Sequence, residues 1–237
     1  DVKRELDHLA AFFHMVVEYK AKIGFDAQCL IEPKPREPTK HQYDYDAQTV
    51  IGFLHNYKLE KHFKLNIEPN HTTLAGHDYE HDILVSSKYG MLGSIDSNTG
   101  DTLLGWDTDQ FPMDVKKTTL TMKLVIEQGG LAPGGLNFDC KVRRESTDVA
   151  DMFIAHIGAM DAFARGLRQA AAIMQDGVLP AMVTERYSTF DTHALAKKVE
   201  EGQASLEELE AHAMSCGEPV KKSGQQELYE MVLNRYV

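Results

Sequence analysis

The chain has 237 residues, 43% hydrophobic and 26% charged, with a net charge of −11 at pH 7 and a pI near 5.4. That composition fits one ordinary globular domain or part of a larger one, and its acidity argues against a basic face for nucleic acid. No apolar run approaches a membrane span and no signal peptide is visible. Cys29, Cys140 and Cys216 are far apart and fall in no zinc pattern, so they read as reduced, buried thiols of a cytoplasmic protein.

Leu6, Leu9, Phe13, Val16 and Val17 recur at helical spacing and predict a helix over 2–21 that stops near Gly24. A strand is expected at 27–32, a Pro- and charge-rich loop at 33–45, a helix at 46–56 and a strand at 63–68. A helix over 74–89 ends at Gly90, and a strand follows at 91–96. The loop 97–112 carries Gly100, Gly105 and the single Trp106. Asp114 caps a helix that stops at Gly129-Gly130. A fourth strand, 135–139, precedes a long helix, 149–175, ending at Gly177. Residues 180–237 show no strand pattern. Ser205 with Glu208, and Ser223 with Gln226, read as capping boxes. This tail packs either on a partner subunit or on its own core.

Strands alternating with helices imply an α/β protein with a parallel sheet and right-handed crossovers. An open doubly wound sheet and a (β/α)8 barrel both satisfy that pattern. Glycine-rich phosphate-binding turns are missing, which disfavours a dinucleotide fold. Gly129-Gly130 and Gly134-Gly135 precede a strand and read as turns. A barrel carries its site at the carboxyl ends of its strands, but only four of eight strands are in view.

The chemistry lies at those strand ends. Leu30-Ile31-Glu32, Leu65-Asn66-Ile67-Glu68, Leu92-Gly93-Ser94-Ile95-Asp96 and Leu136-Asn137-Phe138-Asp139 each run into a carboxylate. Capping of the next helix explains Glu32 and Glu68 poorly, because Glu is a weak N-cap. A sheet does not gather four like charges without a counter-charge. His71, three residues after Glu68, can turn back onto the same site, and mixed imidazole and carboxylate ligands suit manganese, cobalt or magnesium. Asp107 and Asp109 add two loop carboxylates. Six acids and one imidazole exceed the needs of one magnesium and fit two ions sharing a carboxylate. Lys34, between Pro33 and Pro35, is either a salt-bridge partner or an electrophile aimed at a substrate oxygen.

Together these residues resemble xylose isomerase of the longer, class II form. The matching stretches are Ile31-Glu32-Pro33-Lys34-Pro35, Asn66-Ile67-Glu68-Pro69-Asn70-His71, Gly93-Ser94-Ile95-Asp96, the run from Gly105-Trp106-Asp107-Thr108-Asp109 to Pro112, and Gly134-Gly135-Leu136-Asn137-Phe138-Asp139. The resemblance implies a (β/α)8 TIM barrel of which this chain supplies the last four β/α units. Residues 1–179 would carry strands five to eight, and 180–237 a helical tail for subunit contacts. It implies that Glu32, Glu68, Asp96 and Asp139 hold one divalent ion, and that Glu68 bridges to a second held by His71, Asp107 and Asp109. The ions would be Mg2+, Mn2+ or Co2+. Lys34 matches the family lysine that hydrogen-bonds the carbon-1 oxygen, and Glu37-Pro38 matches a cis peptide.

The implied reaction converts D-xylose to D-xylulose, and D-glucose to D-fructose, by a metal-assisted 1,2-hydride shift. The implied assembly is a cytoplasmic homotetramer without nucleic-acid or membrane partners. The family's ring-opening histidine and its aspartate lie on the first four strands. The alternative reading is therefore a fragment that binds metal, or assembles with the amino-terminal half of the barrel, without catalysing alone. A zinc-dependent barrel hydrolase, similar to apurinic endonucleases, fits the acidic charge and single histidine ligand poorly.

Overall fold

The computed structural model describes residues 1–237. They form two compact units, 1–170 and 171–237. The first unit begins with α1 (Val2–Ile23). The Asp1 side chain accepts from the Arg4 N–H at its start, and Gly24 closes it in the left-handed conformation. The predicted stripe faces inward: Phe13 and Val17 lie against the core, and the Phe13 ring stacks on Phe63 with centroids 5.0 Å apart.

Strands β1 (Cys29–Ile31), β2 (Phe63–Ile67), β3 (Leu92–Asp96) and β4 (Leu136–Asn137) pair in chain order, all parallel. Helix α2 (Ala47–Asn56) connects β1 to β2, and α5 (Val115–Gln128) connects β3 to β4. The result is an α/β unit with a four-stranded parallel sheet. The core gathers Val50, Ile51 and Leu54 of α2, Leu65 and Ile67 of β2, Leu92 and Ile95 of β3, and Leu124 and Val125 of α5. Val50, Ile51 and Leu54 recur at one helical face, each worth about 1.5–3 kcal/mol when buried. Leu54 is fully buried, so Leu54→Ala would remove about 2–5 kcal/mol.

The expected helix over 74–89 is two short helices, α3 (Pro69–Leu74) and α4 (His81–Lys88). Gly76 at φ 93° leaves the helical region and ends the run. Pro69 at the first helical position starts α3 directly after β2, which draws His71 toward the strand end. Strand β4 is shorter than expected. It sits close to β3 because Gly134 has no Cβ: one built there would meet the Gly93 carbonyl oxygen at 1.8 Å. Asp114 caps α5 by accepting from Lys116 and Lys117, as expected. Glu37-Pro38 is cis, and so is Ala132-Pro133.

Helix α6 (Val149–Asp176) ends before Gly177, as the sequence predicts. In the second unit Gly177 also opens α7 (Val178–Thr192), followed by α8 (Ala194–Glu200), α9 (Leu206–Cys216) and α10 (Gln226–Leu233). The Ser205–Glu208 capping box forms. The Ser223–Gln226 box does not: Gln225 takes the N-cap position of α10 at φ 54°, and Ser223 Oγ instead accepts from the Gln225 N–H. Tyr229 donates to the Met182 carbonyl (3.0 Å) and Tyr236 to Asp176 (3.0 Å). Only Ile173 and Val232 of this unit are buried apolar residues. All three cysteines are free, but Cys29 and Cys140 are half-buried and Cys216 is exposed. The expectation of buried thiols is corrected for Cys216, since α9 buries none of its residues. No helix is long and apolar enough to cross a membrane.

Candidate metal centre

Each strand delivers its acid at the same end of the sheet. Glu32 follows β1, Glu68 follows β2, Asp96 closes β3 and Asp139 stands two residues past β4. The loop 97–112 is pinned by a two-way backbone bridge between Thr99 and Gln110 (2.8 and 2.9 Å). That bridge returns Asp107 and Asp109 to the strand ends. Arg143 holds the loop from outside, donating to the Thr108 and Asp109 carbonyls at 2.6 and 3.0 Å.

Two groups of ligand atoms converge, Glu32–Glu68–His71 and Glu68–Asp107–Asp109, each within 4.8 Å. Glu68 belongs to both. His71 fixes the polarity between them. Its Nδ1 lies 3.0 Å from the Pro33 carbonyl oxygen, which can only accept, so Nδ1 carries the proton. Its Nε2 then faces Glu68 Oε1 at 3.2 Å and Asp107 Oδ2 at 3.0 Å. Either a proton or a cation must lie between that nitrogen and those oxygens.

Neutral amides, not cations, hold most of the acids, and sequence reasoning missed them. Asn66 Nδ2 donates to Glu32 (2.6 Å) and to Asp96 (2.8 Å), and Asn137 donates to Asp96 (3.3 Å). Asn70 donates to Asp107. Buried Asn98 donates to Glu68 Oε1 (2.5 Å) and the Asp139 carbonyl (3.0 Å), while its Oδ1 accepts from the Asn70 N–H (3.0 Å). A signal was available: Asn66 and Asn137 lie two residues before Glu68 and Asp139, the strand period that puts both on one face. An amide clamps a carboxylate without cancelling its charge.

The charge is unevenly compensated. Burial pushes the Glu68 carboxyl up to about 9; the Asn98 hydrogen bond opposes this, and the charges of Asp107, Glu32 and Asp109 add to it. Its second oxygen, Oε2, is buried without a hydrogen-bond partner. Glu32 is raised by burial and by Asp96, against the pull of His71. Asp109 is raised by burial and by Asp107, against Lys141. Asp107 lies below the usual carboxylate range. Burial works against that, but hydrogen bonds from His71 and Lys34 outweigh it. Lys34 Nζ donates to Asp107 at 2.7 Å and lies 3.5 Å from Glu37; burial opposes its charge, while these acids hold it above its ordinary value. Lys141 donates to Asp109.

The expected residues therefore sort into three kinds. Glu32, Glu68, His71, Asp107 and Asp109 converge, and Lys34 joins them through Asp107. Asp96 is tied to Glu32 through the shared Asn66 amide. The Asp139 side chain is exposed and stands outside both groups, with only its carbonyl drawn in by Asn98. Neighbouring Cys140 is half-buried with its thiol on the Ser97 carbonyl (3.3 Å), and burial pushes that thiol up to about 12, away from the thiolate form. The donor set fits hard divalent cations: four carboxylates from three chain segments, one oriented imidazole, and a buried oxygen with no partner.

The chain is 56% identical over its whole length to xylose isomerase of Rhodopirellula baltica, of which it covers 54%. It is 54% identical to that of Caldicellulosiruptor bescii, again over 54% of the relative. Over 98% of its length it is 56% identical to that of Arabidopsis thaliana, covering 48% of the plant chain. The chain thus spans about half the length of the curated relatives it matches. Residues 183–237 match the family described as XylA2 C-terminal domain. The chain belongs to the xylose isomerase family and corresponds to the carboxyl-terminal half of its members.

Proposed function

We propose that this chain supplies the metal-holding half of an aldose–ketose isomerase that interconverts D-xylose and D-xylulose, and D-glucose and D-fructose, by a 1,2-hydride shift. The observation that carries the reading is Glu68, a buried acid common to both ligand groups, with one oxygen lacking any partner. In this reading Glu32, Glu68, Asp96 and Asp139 hold one divalent ion, and Glu68, His71, Asp107 and Asp109 hold the other. Mg2+, Mn2+ and Co2+ are the candidates. When bound, such ions supply Lewis acidity toward the hydroxyl and carbonyl oxygens of an open-chain sugar.

The chain's own residues do the rest. Lys34 is kept protonated by Asp107 and Glu37, so it can donate a hydrogen bond to the carbon-1 oxygen as negative charge develops there. The Pro33 carbonyl holds the His71 ring so that Nε2 points at the ligand oxygens. Asn66 and Asn98 keep carboxylates from different strands in register without neutralising them. We further infer a (β/α)8 barrel in which residues 1–179 provide the last four β/α units, residues 180–237 reach a neighbouring subunit, and four copies assemble in the cytoplasm.

The test is a coupled assay for D-xylulose with Mg2+ or Mn2+, run on the chain alone and with an amino-terminal half from a family member. Turnover that appears with both halves and falls on Lys34→Met supports the reading. No product under either condition overturns it. A second reading is metal binding without catalysis by this chain alone: the chain covers 54% of its relatives, and the residues that converge are a ligand set. Calorimetric Mn2+ binding without turnover would select it.

A further inference from the structure

A second histidine cluster lies away from the strand ends, where α3, α4 and α2 begin or end. His77 sits in the turn between α3 and α4, and His81 and Asp82 open α4. We propose that His77, His81 and Asp82 form an additional metal site, separate from the strand-end carboxylates, for a borderline divalent ion of the zinc class. Their ligand atoms all lie within 4.8 Å of one another. His81 Nδ1 and Asp82 Oδ1 are 2.8 Å apart. Two ligands bound at about 2.0–2.2 Å from one tetrahedral zinc stand about 3.3–3.6 Å apart, so this hydrogen-bonded pair has to open by only about half an ångström. At the strand ends His71 Nε2 stands 3.2 and 3.0 Å from its carboxylates.

The orienting shell is in place as well. Asp82 keeps its other oxygen on the Ala47 N–H (3.2 Å), and Asp46 binds His77 Nε2 (3.0 Å) while its Oδ1 accepts from Thr49. A carboxylate behind a ligating imidazole fixes its ring and raises its basicity. His77 so held offers Nδ1. Asp82 is almost fully buried, whereas the two imidazoles are 27% and 29% exposed, which gives an ion and its waters a way in. Two imidazoles and one carboxylate are a softer set than the oxygens at the strand ends, and they select zinc over magnesium. The imidazoles now stack with centroids 4.0 Å apart and 12° between planes. Parallel rings cannot both aim at one ion, so binding must turn one of them and break the stack.

The experiment uses the full chain with Glu68→Gln, which weakens the strand-end site, and reads zinc uptake by equilibrium dialysis in excess Mg2+. One zinc per chain is expected, with His77→Gln and His81→Gln each weakening it at least about tenfold. Melting of each variant in chelator checks that it still folds. Zinc-edge absorption on the same Glu68→Gln chain in excess Mg2+ reads the ligands directly and should carry scattering from two imidazoles. Zinc bound equally by the parent and both histidine variants, or a zinc shell without paired imidazoles, overturns the proposal. The strand-end reading stands or falls separately, on Mn2+ binding and turnover.

Discussion

The molecule holds two histidine–carboxylate clusters built from the same residue types and held in opposite ways. Around His77 and His81, the acids Asp46 and Asp82 accept from backbone N–H groups at the start of α2. Around His71, the acids Glu32, Glu68, Asp96 and Asp107 are held mainly by side-chain amides, and Glu68 keeps one oxygen unpartnered. Backbone donors belong to the fold, so the first cluster contributes to stability whether or not an ion is present. The second cluster concentrates charge that the fold alone leaves uncompensated, which is the mark of a site arranged for something else.

Glu68→Gln should break this contrast most. Mn2+ affinity should fall about 100-fold or more, because both ligand groups lose their shared member, while metal-free stability should hold or rise as a raised, like-charged acid disappears. Calorimetry and melting in chelator read the two effects. The pH sign follows from burial. Glu68 titrates near 9 in the fold and near 4.5 unfolded, so the folded state keeps its proton longer. The metal-free chain is fully stabilised by that proton below pH ~4.5 and loses the contribution as pH rises toward about 9. Glu68→Gln should flatten that decline.

Asn98→Ala should come next. It strips a donor from Glu68 and an acceptor from the Asn70 N–H. Metal affinity should drop about 10–100-fold and stability by about 1–3 kcal/mol, so this variant alone moves both readouts down. Asp46→Ala should lower stability by about 1 kcal/mol through the lost N-cap, with Mn2+ binding at the strand ends unchanged. Asp46 is depressed: burial opposes this, but hydrogen bonds from Thr49 and His77 prevail. Its contribution is therefore present above pH ~4 and lost as pH falls through its folded value. Asp46→Asn should blunt acid unfolding in a denaturation series. Lys141→Met should have the smallest effect, tightening Mn2+ about two- to fivefold at low salt, since an exposed ammonium leaves Asp109.

The acids were legible because strand ends are marked by apolar runs, and a run of four ending in carboxylates has no ordinary structural reason. The alternation of strands and helices, the Asp114 cap and the Ser205–Glu208 box were legible for the same local reasons. The break between α3 and α4 was not, although Gly76 stood in the predicted helix; a lone glycine is often tolerated there, and only its positive φ decides. The Asn clamps were missed because amides look polar and ordinary until the sheet aligns them. Asp139 was read with the other three, yet its side chain stays exposed, since β4 ends two residues before it.

Gly134 sets a last constraint. Its α-carbon hydrogen lies where any side chain would strike the Gly93 carbonyl, so the spacing of β3 and β4 is written into one atom's absence. Position 134 is thus a distance gauge for the sheet. A substitution there would report, by how far Asp139 and its Asn98 tether drift from Asp96, how tightly the last strand is coupled to its neighbour.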